Sequence, residues 1–305
     1  MPEMGRSRQI AWSRLCWALP VEPPAFMGAT LRSSVCIGNG WLGRAIGSTL
    51  SIRTVPRRQF CAAAVADQTV VYVASGRSAI PTSTGLGTAL RSELAHLRHV
   101  LNACSAARVE RVVVLGSSDV AGYTESITGA SPQAPVTTYA KVKAALEDEC
   151  VLRASAGEPV TVVRLAPVHG PGKKRTADLL SLARSPVVPL VAKGAHSVGF
   201  VLLDDALRAL EHLGREDAPS VVTVGGGATP LHALLACLAE AQGSSPRWVN
   251  VPIPIGAWRR VSRIPGFPDS LHWLLRLSTP RAVEMEVPVP ITPLAAAARR
   301  LVTAC

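Results

Sequence analysis

From Ser33 onward, short apolar runs rich in β-branched residues alternate with longer segments whose apolar positions recur every three or four residues. Val35 to Ile37, Ile52 to Val55, Thr69 to Ala74, Arg111 to Leu115, Val160 to Leu165 and Val221 to Val224 read as strands. Leu42 to Leu50, Gly87 to Ala107, Tyr139 to Ala156, Asp204 to Leu213 and Pro230 to Gln242 read as helices. Strands that are apolar on both faces, separated by amphipathic helices, predict an α/β fold built on a doubly wound parallel sheet.

The two ends depart from this pattern. Residues 1–32 are basic, contain Pro20, Pro23 and Pro24, and lack the apolar core and small-residue cleavage site of a secretion signal. They are expected to form a poorly ordered extension, and Met27 is an alternative start. After Arg247 the alternation gives way to Val251-Pro-Ile-Pro254, Ile264-Pro-Gly-Phe-Pro268 and Val287-Pro-Val-Pro290, around one Trp-bearing helix near Asp269 to Leu277. The predicted organisation is therefore a nucleotide-binding domain over residues 33–246 and a small substrate-binding lobe over 247–305, with contributions from 166–200.

Composition narrows the function classes. The 305 residues are 48% hydrophobic and carry 32 Lys+Arg against 21 Asp+Glu, a net charge of +11. Wholesale disorder is excluded, and no apolar run is long enough to span a membrane. The charge invites a nucleic-acid reading, but the arginines are scattered and aromatics are only 4% of the chain. That pattern suits a small anionic ligand better than a nucleic-acid polymer. The seven cysteines are widely spaced and mostly sit in apolar runs, so neither a disulfide framework nor a metal site is expected, and a cytoplasmic setting is the default.

Gly38-Asn39-Gly40-Trp41-Leu42-Gly43 follows the first strand and opens the first helix. In G-x-G-x-x-G the first glycine makes the tight turn and the second admits a pyrophosphate to the backbone N–H groups. The third lets helix pack on strand. An NAD site usually places a carboxylate after the second strand, yet no Asp or Glu occurs from Pro23 through Ala66; Arg53, Arg57 and Arg58 stand there instead. Guanidinium groups suit a 2′-phosphate, so NADP(H) is favoured, with NAD possible. Tyr139 and Lys143 lie four apart on one helix, one turn from each other. An ammonium there favours the phenolate, which can exchange a proton with a carbonyl or alcohol. Ser117, Ser118 and Asp119 end a strand upstream, at the sheet edge where a hydroxyl can reach the same oxygen.

With these three elements in this order, the chain resembles the extended short-chain dehydrogenases/reductases, the NAD(P)-dependent epimerase/dehydratase group, from about Ser33 to Ala241. Asp67 to Gly76, Asn102 to Ser118, the Tyr139-Lys143 helix with Glu147, Arg164 to Gly172 and Phe200 to Asp205 carry the likeness. The resemblance implies a Rossmann-type fold, Tyr139 as general acid/base, Lys143 on the nicotinamide ribose, and Ser118, with Ser117 as fallback, orienting the reacting oxygen. It places Ala74, Ser75, Gly76, Pro167 and Val168 beside the cofactor. Ser117, Asp119, His169, Lys173, Lys174 and Arg175 would lie on the substrate side. It also implies a homodimer.

Three departures qualify the resemblance. Ile37 stands where the family's first glycine usually falls, as in atypical members with Gly-x-Gly-Trp-Leu-Gly. Only 32 positions separate Gly43 from Ser75, so the usual third strand is expected to be missing. The Asp-Glu pair of the dehydratases is absent after Ser118, which demotes dehydration. The sequence predicts an NADP(H)-dependent ketoreductase acting on a sugar nucleotide or specialised metabolite in biosynthesis. The alternatives are a sugar-nucleotide epimerase and a non-catalytic NADP sensor.

Overall fold

The computed structural model describes residues 33–74, 85–251 and 281–304. Strands β1 (Ser34–Ile37), β2 (Arg53–Val55), β3 (Val70–Val73), β4 (Arg111–Leu115), β6 (Val160–Leu165) and β11 (Val221–Val224) form one six-stranded sheet in the order β11-β6-β4-β3-β1-β2. All five pairings are parallel. The expected third strand is absent among the described residues. Two 3-10 turns, Arg57–Gln59 and Ala62–Ala64, join β2 to β3, and β2 is the sheet edge.

The sheet is covered on both faces, and the alternation of side chains along each strand sorts its residues between two cores. Cys36, Tyr72 and Val113 face helices α1 (Trp41–Thr49) and α5 (Leu203–Leu213) through Ile46, Leu207 and Leu210. Val35, Ile37, Val71 and Val73 face α2 (Leu86–Ala106) and α3 (Thr138–Ser155) through Leu97, Leu101, Val142 and Leu146. The chain leaves β1 toward β2 on one side and β3 toward β4 on the other. A cleft therefore opens at the carboxyl ends of β1 and β3, where such sheets bind ligands.

A third core gathers α4 (Lys174–Arg184), α6 (Leu231–Ala241) and the C-terminal helix Leu294–Thr303, with Leu180, Leu234, Leu235, Leu238 and Leu301 inside. Short strands frame it: β8 (Val187–Val191) pairs in parallel with β13 (Arg247–Val251), and β9 (Ser197–Val198) pairs antiparallel with β12 (Thr229–Pro230). Helix α6 lies before residue 246 in the chain yet packs in this core, so the boundary expected there does not follow the packing. Strands β7 (Val168–His169) and β10 (Val201–Leu202) pair beside β6, while β14 (Ala282–Val283) pairs with β5 (Ser126–Ile127) and returns the chain to the sheet edge. The expected helix near Asp269 lies outside the described residues.

Candidate active site

The glycine turn sits at the cleft. Gly38 has φ +119°, and a Cβ there would stand 2.6 Å from the Ala74 carbonyl oxygen. A Cβ on Gly43 would meet the Gly38 carbonyl at 1.9 Å. These two glycines are demanded by the protein's own packing. Gly40 is different: a Cβ there would meet nothing within 4 Å, and as the α1 N-cap it supplies no side-chain hydrogen bond. The first N–H groups of α1 thus receive no side-chain cap, which fits a dinucleotide pyrophosphate at that end of the helix. Asn39 is exposed and offers its carbonyl to Arg44 at 2.8 Å. Ala74 closes the turn by donating to Ile37 O at 2.9 Å, and Leu42 packs against the first core. Ser75 and Gly76 lie outside the described residues.

Arg53 of β2 and the two arginines that follow the strand do not act as one cluster. Arg57 is ion-paired with Glu93 of α2 and also donates to the Ser92 carbonyl at 2.8 Å. Arg53 donates to Ala64 O at 3.0 Å. Arg58 is exposed and makes no hydrogen bond or ion pair among the described residues. Phe60 packs edge-on against His96 and His99, as expected for a packed helix face, and no metal-holding cluster occurs among the described residues.

Across the cleft, Thr137 caps α3, its Oγ1 accepting from Ala140 N at 3.0 Å. That cap fixes the turn bearing Tyr139, which is half-buried. One turn on, Lys143 is buried and donates from Nζ to Leu115 O, the last carbonyl of β4, at 2.9 Å. Burial pushes its ammonium down to about 8, opposed by the Glu93 carboxylate. One turn further, Glu147 accepts from Arg164 of β6 in a buried two-pronged pair at 2.9 and 2.6 Å. Arg164 also donates to the Thr128 and Ser131 carbonyls at 3.0 and 2.7 Å. Helix α3 is thereby fixed to the sheet.

The two serines after β4 differ in surroundings. Ser118 is fully buried, and its Oγ accepts from Arg281 at 3.2 Å. Arg281 also donates to Asp119 at 2.8 Å, so a residue just before β14 neutralises the carboxylate beside the serines. Ser117 accepts from Asp119 N at 3.3 Å and caps the 3-10 turn Ser118–Ala121. A small pocket lies beside the Arg281–Asp119 pair, lined by Asp119, Tyr123, Thr137 and Arg281. Neither Arg281 nor Glu93 was marked by any sequence motif.

The remaining expected residues fall on the α4 side. Pro167 O accepts from Val201 N at 3.1 Å, and Val168 pairs with Val201, placing both just beyond β6. His169 is buried against Phe200 with Nδ1 3.4 Å from Thr176 Oγ1, and burial with Arg175 and Lys173 pushes its pKa down to about 4. Lys173 is the α4 N-cap, and Lys174 and Arg175 begin the helix. Lys174 is tied to Asp178 at 2.8 Å, Arg175 is exposed, and Lys173 lies over the Trp41 ring.

Fold and site together define a nucleotide-binding enzyme with a Tyr–Lys helix opposite a glycine turn. The protein-family model for the NAD dependent epimerase/dehydratase family matches residues 48–225, more than half of the chain, and the protein belongs to that family. The match begins after the glycine turn, whose fit to a pyrophosphate rests on the geometry above. No curated protein sequence matches the chain. Among solved structures, it is similar to a novel NAD dependent-NDP-hexosamine 5,6-dehydratase, TunA, involved in tunicamycin biosynthesis; identity is 20%, coverage 89% of this chain and 97% of that one, and TM-score 0.63. It is also similar to RMD from Pseudomonas aeruginosa complexed with NADPH, at 17% identity, 89% and 98% coverage and TM-score 0.64. A third likeness is to a UDP-N-acetylglucosamine 4-epimerase from Methanobrevibacter ruminantium M1, at 14% identity, 89% and 98% coverage and TM-score 0.66. At these identities the likeness establishes the fold. The family assignment makes the protein an NAD(P)-dependent enzyme of the extended short-chain dehydrogenase/reductase type.

Proposed function

We propose that the protein is an NADP(H)-dependent oxidoreductase that reduces a carbonyl of a sugar nucleotide or related specialised metabolite, or oxidises the matching alcohol. The observation that carries this reading is the capped α3 turn, which presents Tyr139 one turn before the buried cation Lys143 at the carboxyl end of β4. A bound nicotinamide supplies or accepts the hydride. Tyr139 gives a proton to the carbonyl oxygen during reduction and takes it back in the reverse direction. Lys143 holds the nicotinamide ribose and, while charged, favours the phenolate.

Of the two serine hydroxyls, Ser117 suits the orienting role better, because Ser118 is engaged by Arg281 and fully shielded. The absence of a Glu after Asp119 argues against dehydration, which needs a paired acid and base to expel water; Asp119 itself is held by Arg281 at 2.8 Å. NADP(H) preference rests on Arg58 and on the absence of a carboxylate between Pro23 and Ala66. Similarity to an epimerase, beside similarity to a protein complexed with NADPH, keeps cofactor-retaining epimerisation as the second reading.

The test is turnover of NADPH with a panel of ketones and keto-sugar nucleotides. Tyr139→Phe is expected to lower kcat by roughly 100-fold or more with cofactor affinity unchanged. Ser117→Ala should lower kcat more than Ser118→Ala. Activity surviving Tyr139→Phe would refute the assignment. Tight cofactor binding without turnover of any carbonyl would favour a sensor.

A further inference from the structure

The glycine turn is joined to the start of α4 through Trp41. The indole N–H donates to Pro171 O at 2.9 Å. A Cβ on Gly170 would lie 3.3 Å from the indole Cζ2, and one on Gly172 3.9 Å from Nε1, so the ring is seated between these two glycines. Lys173 places its Nζ 4.5 Å from the ring centroid. Because Trp41 follows Gly40 and begins α1, its ring links this ammonium to the helix whose N-terminus has no side-chain cap.

The local charge is one-sided. Lys174 has Asp178 as its partner, but neither Lys173 nor Arg175 has a carboxylate partner among the described residues. The first turns of α1 and α4 contain no acid either. Partial burial and the neighbouring Arg175 both push the Lys173 ammonium down, which is the strain a bound anion would relieve.

We propose that Lys173 binds the pyrophosphate of the dinucleotide, positioned by Trp41, and is not a substrate residue. The inference rests on the cofactor reading above. A diphosphate is common to the dinucleotide and to a sugar nucleotide, so the test separates the two. Wild type, Lys173→Met and Lys173→Arg are titrated calorimetrically with NADPH, with reduced nicotinamide mononucleotide, which lacks the pyrophosphate, and with UDP.

Lys173→Met should weaken NADPH binding by roughly 10- to 100-fold, the loss of one charge-assisted contact. Mononucleotide and UDP affinity should change far less, and Lys173→Arg should recover most of the loss. Wild-type NADPH affinity should also fall more steeply with salt than that of the Met variant. A melting curve matching wild type shows that the Met variant is folded. Unchanged NADPH affinity, with or without a loss of UDP affinity, overturns the inference and leaves the cofactor reading standing. Wild-type protein that binds no dinucleotide overturns both.

Discussion

Arg57 and Arg58 are adjacent in sequence and opposite in duty. Arg57 is committed to the buried Glu93, whereas Arg58 reaches solvent unpaired among the described residues. Arg58→Ala should therefore raise the KM for NADPH by roughly 10-fold and leave that for NADH nearly unchanged. Arg57→Ala should lower the melting temperature by stranding a buried carboxylate. A reversed pattern would return the cofactor role to Arg57. Lys143 gives a second prediction at this scale. Its ammonium is charged below about pH 8 and neutral above it, so kcat/KM for carbonyl reduction should decline as pH rises through about 8. Lys143→Arg, which stays charged, should move that limb upward. The Tyr139–Lys143 spacing was legible because helix geometry brings positions four apart together. Arg281 was not, because its partners Ser118 and Asp119 lie 163 and 162 positions away and only the fold joins them.

At the scale of elements, the three glycines of the first turn separate packing from binding. Gly43→Ala should destabilise the fold severely, since its Cβ would overlap the Gly38 carbonyl. Gly40→Ala should fold normally yet bind dinucleotide more weakly, because its methyl group enters the space left for phosphate; equal melting and equal binding in both variants would contradict this division. Strand β7 carries a pH effect. His169 binds a proton less readily when folded, about 4 against an unfolded value of about 6.5, so its contribution makes stability fall as pH drops between those values. His169→Gln should flatten this acid limb in denaturant melts. The central strands and their helices were readable from alternating apolar runs. Helix α4 was hidden by its polar start, Lys173 to Arg175, although Thr176, Leu179, Leu180 and Ala183 form a helical stripe. The C-terminal helix was masked by prolines that end immediately before it, at Pro293.

For the whole molecule, the short passage from Gly43 to β3 leaves β2 as the sheet edge, as the sequence spacing predicted. The excess positive charge resolves in part into local partners. Arg164, Arg208 and Arg281 are engaged by buried carboxylates, while Arg58, Lys173 and Arg175 have no carboxylate partner among the described residues. Hydride transfer to a carbonyl would leave an isotopic mark on the product. Protein incubated with a keto-sugar nucleotide and NADPH deuterated at the transferable position should yield NADP+ and a product carrying deuterium at the new carbinol carbon, in equal amounts. A dehydrated or epimerised product formed without net NADPH consumption would contradict it.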